Sequence, residues 1–195
     1  MTKPTPAAPR GETALLVIDM QNAFLDPQGE HYYPQSRIVV PAVEVLIAAA
    51  RQGGRLIVHT ADRHRIGLND FEQPKLPPHC LDADWNARFF EGFGPAPGRP
   101  AEIVMPKRRY SAFFGTDLAL VLHEQRVSRV VVAGIKTNVC VRATIQDAFA
   151  HGFEPILVRE ATNSNRPHLE QGSLEDIERY FGRVISLSEG EAELR

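Results

Sequence analysis

Three side chains in this sequence could share one reaction. Asp19 closes the apolar run "ALLVI" of residues 14–18, Lys107 closes "EIVMPK" at 102–107, and Cys140 follows "RVVVAG" at 129–134 within "GIKTNVCVRAT". A cysteine thiolate attacks carbonyl carbons. A carboxylate beside it can take the thiol proton and return it to a departing amine. A lysine ammonium and a helix N-terminus both favour the thiolate, which would lower the Cys140 pKa below its free value of ~8.5. Backbone N–H groups of the same turn could hold the oxyanion of a tetrahedral intermediate. Each residue also has an ordinary reading: a packed core cysteine, a solvated loop lysine, a turn or capping aspartate. What argues for chemistry is that all three fall at or just beyond the ends of apolar runs.

Those runs predict the elements that must hold the three groups. Short apolar segments at 14–19, 55–60, 102–107, 129–134, 154–160 and 183–188 read as strands. Helical spacing covers 37–54, which stops at Gly53–Gly54, and 116–127, with Thr116 as the expected N-cap. It also covers 138–151, closed by Gly152, and 168–182, which contains Gly172. Strands apolar on both faces and separated by helices imply a mainly parallel six-stranded sheet with helices on both faces, a three-layer α/β/α domain. Ligands of such sheets sit beyond the carboxyl ends of the strands. Residues 61–101 are rich in Pro, Gly, His and Asp, and a loop of that length in one domain is usually functional.

Composition narrows the classes. The chain has 195 residues, 43% hydrophobic and 24% charged, which suits one domain over residues 13–195 behind a flexible tail at 1–12. A net charge of −2 without long runs of one sign gives no reason to expect nucleic acid or an anionic membrane surface. No stretch approaches the ~18 apolar residues of a membrane span, and the Pro-rich start is not a signal peptide. Two cysteines are too few for a disulfide framework, so a cytoplasmic setting with free thiols is expected. No G-x-G-x-x-G follows the first strand and no P-loop occurs, which weighs against a nucleotide-binding protein.

Together "LLVIDMQNAF", "PKRRYSAFFGTDL" and "VVVAGIKTNVCVRATIQDAFAHGF" resemble the isochorismatase-like cysteine hydrolases, over about residues 14–187. The resemblance implies an Asp–Lys–Cys triad of Asp19, Lys107 and Cys140. It would cleave the C–N bond of a small amide or ureide through an acyl-enzyme and release ammonia or an amine. It implies a cis peptide at Lys136–Thr137, an oxyanion hole from the N–H groups of Thr137 and Cys140, a substrate contact at Phe24, and a homo-oligomer, dimer or tetramer. Metal-dependent nicotinamidases share the family, and Asp62, His64 and His79 match three of their ligands. Leu68 stands in place of a further histidine and Leu76 in place of a stacking aromatic, so no metal cofactor is expected, with zinc at Asp62, His64 and His79 as the alternative. A non-catalytic small-molecule-binding relative is the other rival. Arg108, Arg109 and Arg142 flank the catalytic positions, where one could bind a substrate carboxylate. "NSNRPH" at 163–168 could line the pocket, Cys80 is expected to be buried and inert, and Lys136 bears on specificity only if it faces the pocket.

Overall fold

Successive strand residues point to opposite faces, so an apolar run must be covered twice. In the computed structural model, which describes residues 12–72 and 74–195, this is what β1 (Glu12–Ile18) does. Leu15 and Val17 feed one core, and Ala14, Leu16 and Ile18 feed the other. The first core is roofed by α2 (Val40–Gln52) and α6 (Leu187–Leu194), the second by α3 (Leu118–Glu124), α4 (Arg142–Ala150) and α5 (Pro167–Asp176). A short α1 (Asn22–Leu25) follows β1.

The remaining strands are β2 (Ile57–Asp62), β3 (Glu102–Lys107), β4 (Val127–Ile135), β5 (Glu154–Asn163) and β6 (Arg183–Ile185). They pair in the order β3-β2-β1-β4-β5-β6, every pairing parallel. The expected three-layer α/β/α fold is therefore present. The chain builds outward from β1 to β3, then returns to the other side of β1 with β4. The order reverses between β1 and β4, and a crevice opens at their carboxyl ends.

Gly134, near the end of β4, permits that closeness. Its φ is +115°, and a Cβ there would lie 2.1 Å from the Ile18 carbonyl oxygen.

Several boundaries differ from expectation for local reasons. The helix expected over 37–54 is a 3-10 turn (Pro34–Val39) followed by α2, because Pro41 has no N–H to bond the carbonyl four residues back. Asp117, not Thr116, occupies the N-cap of α3, although the Thr116 hydroxyl accepts from the Leu118 N–H at 3.3 Å. The last strand is short, since Ser186 and Glu189 form a reciprocal capping box that starts α6. Glu12 already belongs to β1, and the rest of the expected tail, residues 1–11, lies outside the described residues.

Candidate active site

Asp19 directly follows β1 in a left-handed conformation, φ +51°, which aspartate tolerates better than most residues. Its N–H donates to Thr60 Oγ1 at 3.0 Å, and that hydroxyl donates back to Asp19 Oδ1 at 2.6 Å. Thr60 lies on the neighbouring β2, so the sheet itself fixes the carboxylate. Lys107 ends β3 and reaches across beneath it. Its Nζ lies 2.8 Å from Asp19 Oδ2, 3.4 Å from Asp62 Oδ1 and 3.4 Å from Cys140 Sγ. The structure thus brings the three strand-end groups together, all buried.

Burial sets the protonation pattern. It acts first to raise the Asp19 carboxyl, against the pull of Lys107. Burial alone would lower Lys107, but Asp19 and Asp62 outweigh it and hold the ammonium well above its usual range. Burial also pushes the Cys140 thiol well above its ordinary value; Lys107 opposes this, and Asp19 and Asp62 add to it. The lowered thiol pKa expected from sequence is therefore not found. The shift runs upward because the group is dehydrated and faces two carboxylates as well as one cation. Nor does it sit in the first turn of an α-helix. Thr137–Val141 form a π-helical turn that precedes α4.

The cis peptide lies at Ile135–Lys136, not at the expected Lys136–Thr137. Ile135 still pairs with Asn163 in β5 while Thr137 already opens the π-helical turn, so the change of direction falls one bond earlier. The Lys136 carbonyl accepts from the N–H groups of Val139 (3.0 Å) and Val141 (3.2 Å). Thr137 Oγ1 lies 2.8 Å from Thr162 Oγ1, tying the turn to β5.

Cys140 opens on a cavity of about 620 Å³. Phe24, Leu76, Ile135 and Val139 give it an apolar wall, and Lys136, His31 and Tyr110 add polar groups. Phe24 thus lines the cavity, as does Lys136. Arg142 also lines it, but its guanidinium bonds Asp176 at 2.7 Å. Arg108 and Arg109 turn away to Asp82 and Asp70, both at 3.1 Å, so neither flanks the nucleophile. None of residues 163–168 lines the cavity, but Ser164 Oγ donates to Asn138 Oδ1 at 2.6 Å, and Asn138 does line it. Cys80 is fully buried, and burial raises its thiol pKa.

Asp62, His64 and His79 converge beside the triad, with one donor atom from each within 4.8 Å of the others. His64 Nδ1 is held by Asp70 at 2.7 Å and His79 Nδ1 by the Pro77 carbonyl at 2.9 Å. Both Nε2 atoms are thereby turned toward Asp62, at 3.5 and 3.4 Å. His64 Nε2 is buried without a hydrogen-bond partner. Two histidines fixed by outer partners, an orphaned nitrogen and a carboxylate fit a divalent cation. Asp62 and Asp70 also push the His64 imidazole up to about 9, against the opposing effect of burial. Leu68 is exposed and adds no donor.

Sequence reasoning missed Thr60, Gln21, Asp70 and His31. The Gln21 amide accepts from the Asp62 N–H (2.7 Å) and donates to the Asp62 and Ala87 carbonyls (3.0 and 2.9 Å), which clips the long loop to the site. His31 stacks on Phe24 and meets the edge of His79. The signals were weak: Gln21 stands inside "LLVIDMQNAF" and Thr60 ends "RLIVHT".

Comparison with known proteins bears on the family and the fold. The family described as Isochorismatase domain matches residues 13–189. The chain is 34% identical to maleamate amidohydrolase of Pseudomonas putida, over 93% of this chain and 86% of the relative. It is 36% identical to N-carbamoylsarcosine amidase of an Arthrobacter species, over 89% of this chain and 67% of the relative. Among solved structures, the pyrazinamidase of Pyrococcus horikoshii in complex with zinc superposes with a TM-score of 0.81 at 33% identity, covering 90% of this chain and 99% of that one.

Proposed function

Because the chain belongs to the isochorismatase family, as a hydrolase of non-peptide C–N bonds, we propose a cysteine-dependent amidohydrolase acting on a small amide or ureide through an acyl-enzyme. The observation that carries it is Lys107 Nζ, 2.8 Å from the Asp19 carboxylate and 3.4 Å from the sulfur of Cys140, a residue that lines a substrate-sized cavity. Cys140 Sγ attacks the carbonyl carbon and its proton passes to Asp19. Collapse of the tetrahedral intermediate breaks the C–N bond, and Asp19 hands the proton to the departing nitrogen. Water then attacks the thioester, again giving a proton to Asp19, which returns it to the sulfur. Lys107 opposes the rise that burial imposes on Asp19, which leaves Asp19 a stronger base than an exposed carboxylate, and steadies the thiolate only as it forms. That timing suits a buried thiol, since charge develops in the transition state and not before.

The oxyanion falls to the N–H groups of Thr137 and Cys140. In support, the Val139 and Val141 N–H groups are already engaged by the Lys136 carbonyl. Phe24 packs against the substrate. Ammonia release from a panel of small amides, ureides and carbamoyl acids tests the reading, and no release from any of them would overturn it.

A metal-dependent variant, of nicotinamidase type, is favoured by the Asp62–His64–His79 cluster. Those three residues would hold the cation, which when bound supplies a Lewis-acid grip on a basic substrate atom. The triad chemistry above runs through none of them. Metal content of the purified wild type and of His79→Ala, by mass spectrometry of the elements, decides occupancy.

The proposal extends to a homo-oligomer, dimer or tetramer, supported by exposed Leu68 and Phe114 lining one surface hollow. Among the described residues, no helix is long and apolar enough to cross a membrane. A cytoplasmic setting is proposed from the two free, buried cysteines.

A further inference from the structure

The cations around the active site are nearly all answered. Lys107 faces Asp19 and Asp62, Arg142 faces Asp176, Arg108 faces Asp82 and Arg109 faces Asp70. Lys136 differs. It is half-buried and lines the same cavity as Cys140, yet among the described residues it forms no ion pair; Lys75, which also lines that cavity and forms none, is exposed to solvent. Its Nζ lies 5.0 Å from the centroid of the Tyr33 ring, a contact that steadies the side chain without neutralising it. The Tyr33 hydroxyl is in turn held by Asn163 Oδ1 at 2.7 Å, so the ring is itself fixed.

An ammonium drawn out of water without a counter-ion is unfavourable, and burial accordingly lowers the Lys136 pKa. The backbone adds precision. The Lys136 carbonyl takes the Val139 and Val141 N–H groups, so the cation and the nucleophile belong to one rigid turn. Ile135 and Val139 add apolar surface to the cavity that both line.

We propose that Lys136 is the carboxylate-binding residue of the substrate pocket and that the substrate is a small amide bearing a carboxylate, of the class of monoamides of dicarboxylic acids. This rests on the amidohydrolase reading for what happens at Cys140. It goes beyond that reading in assigning the charge of the substrate and the residue that selects it. The substrate carboxylate replaces the missing counter-ion, and the carbon chain between carboxylate and amide lies along the apolar wall.

The test uses succinamate, its neutral diamide succinamide, and succinate as a non-reacting ligand, with wild type, Lys136→Met and Lys136→Arg. The wild type should favour succinamate over succinamide in kcat/KM by about 10-fold or more, the size of one charge-assisted hydrogen bond. Lys136→Met should bring the ratio to within about 3-fold, and Lys136→Arg should keep most of the preference. A wild-type ratio near unity, or a preference that survives in Lys136→Met, overturns the assignment. The wider amide panel judges the amidohydrolase reading separately. If neither succinyl amide releases ammonia, calorimetric titration with succinate decides. Binding to wild type that is lost in Lys136→Met supports the carboxylate site. No binding, or equal binding to both, refutes it.

Discussion

Lys107 is a fully buried ammonium held between two buried carboxylates, and its removal shows what each contributes. Lys107→Met would leave Asp19 and Asp62 facing each other without a cation. Breaking a buried ion pair from one side destabilises by about 3–5 kcal/mol, so the variant should unfold at a clearly lower urea concentration. His59 offers a pH-dependent counterpart away from the triad. Burial brings its pKa from 6.5 down to about 4, and Glu102 only partly offsets this. As pH falls, the unfolded chain takes up the proton first. The His59 contribution is therefore complete above about 6.5 and is lost as pH falls toward 4. Between about pH 7 and about pH 5 the His59 share of the loss should be about 2 kcal/mol, read by urea unfolding as the difference between wild type and His59→Phe; His31, which burial also lowers to about 4, adds in the same direction. At this scale the meeting of Asp19, Lys107 and Cys140 was legible because each ends or follows an apolar run. Thr60 and Asp70 were not, since their importance comes from partners met across the fold. The thiol pKa was misjudged because charges are visible in a sequence while dehydration is not.

Among the elements, the β1–β4 contact positions everything else. Gly134→Ala would set a methyl 2.1 Å from the Ile18 carbonyl, on a backbone with φ +115°. The strands would have to part, and the loss should exceed about 3 kcal/mol, beyond the range of ordinary substitutions, with activity falling alongside stability. Thermal unfolding of this variant beside Gly172→Ala, where the added Cβ meets nothing within 4 Å, separates the close approach from a general glycine effect. Strand positions were readable because runs buried on both faces need no partner to be recognised. Helix boundaries were less so. The helix over 37–54 ignored the missing N–H of Pro41, and the final helix was overlooked although Ser186 and Glu189 stand at capping-box spacing. The cis bond was displaced by one residue because the sequence does not say where β4 stops pairing with β5.

Across the whole molecule, two cores hold one parallel sheet, and Asp19, Lys107 and Cys140 come from strand ends on both sides of the reversal in strand order. The long connection at 63–101 closes the site as its composition suggested, with His64 and His79 delivered beside Asp62. Ile66, Leu68, Phe71 and Phe114 are exposed. If a second copy covers this region, sedimentation should give a dimer or tetramer, and Phe114→Asp should shift it toward monomer; a monomeric wild type would refute the proposed assembly. Assembly was not legible from the chain itself, because an interface involves surface that a lone sequence does not distinguish from solvent-facing loop. The central claim remains covalent catalysis by Cys140. Its most direct test is ammonia release from the best amide of the panel by wild type and Cys140→Ala, measured side by side. Cys140→Ala should fall by about 1,000-fold or more with the fold intact; turnover within about 10-fold of wild type would contradict covalent catalysis.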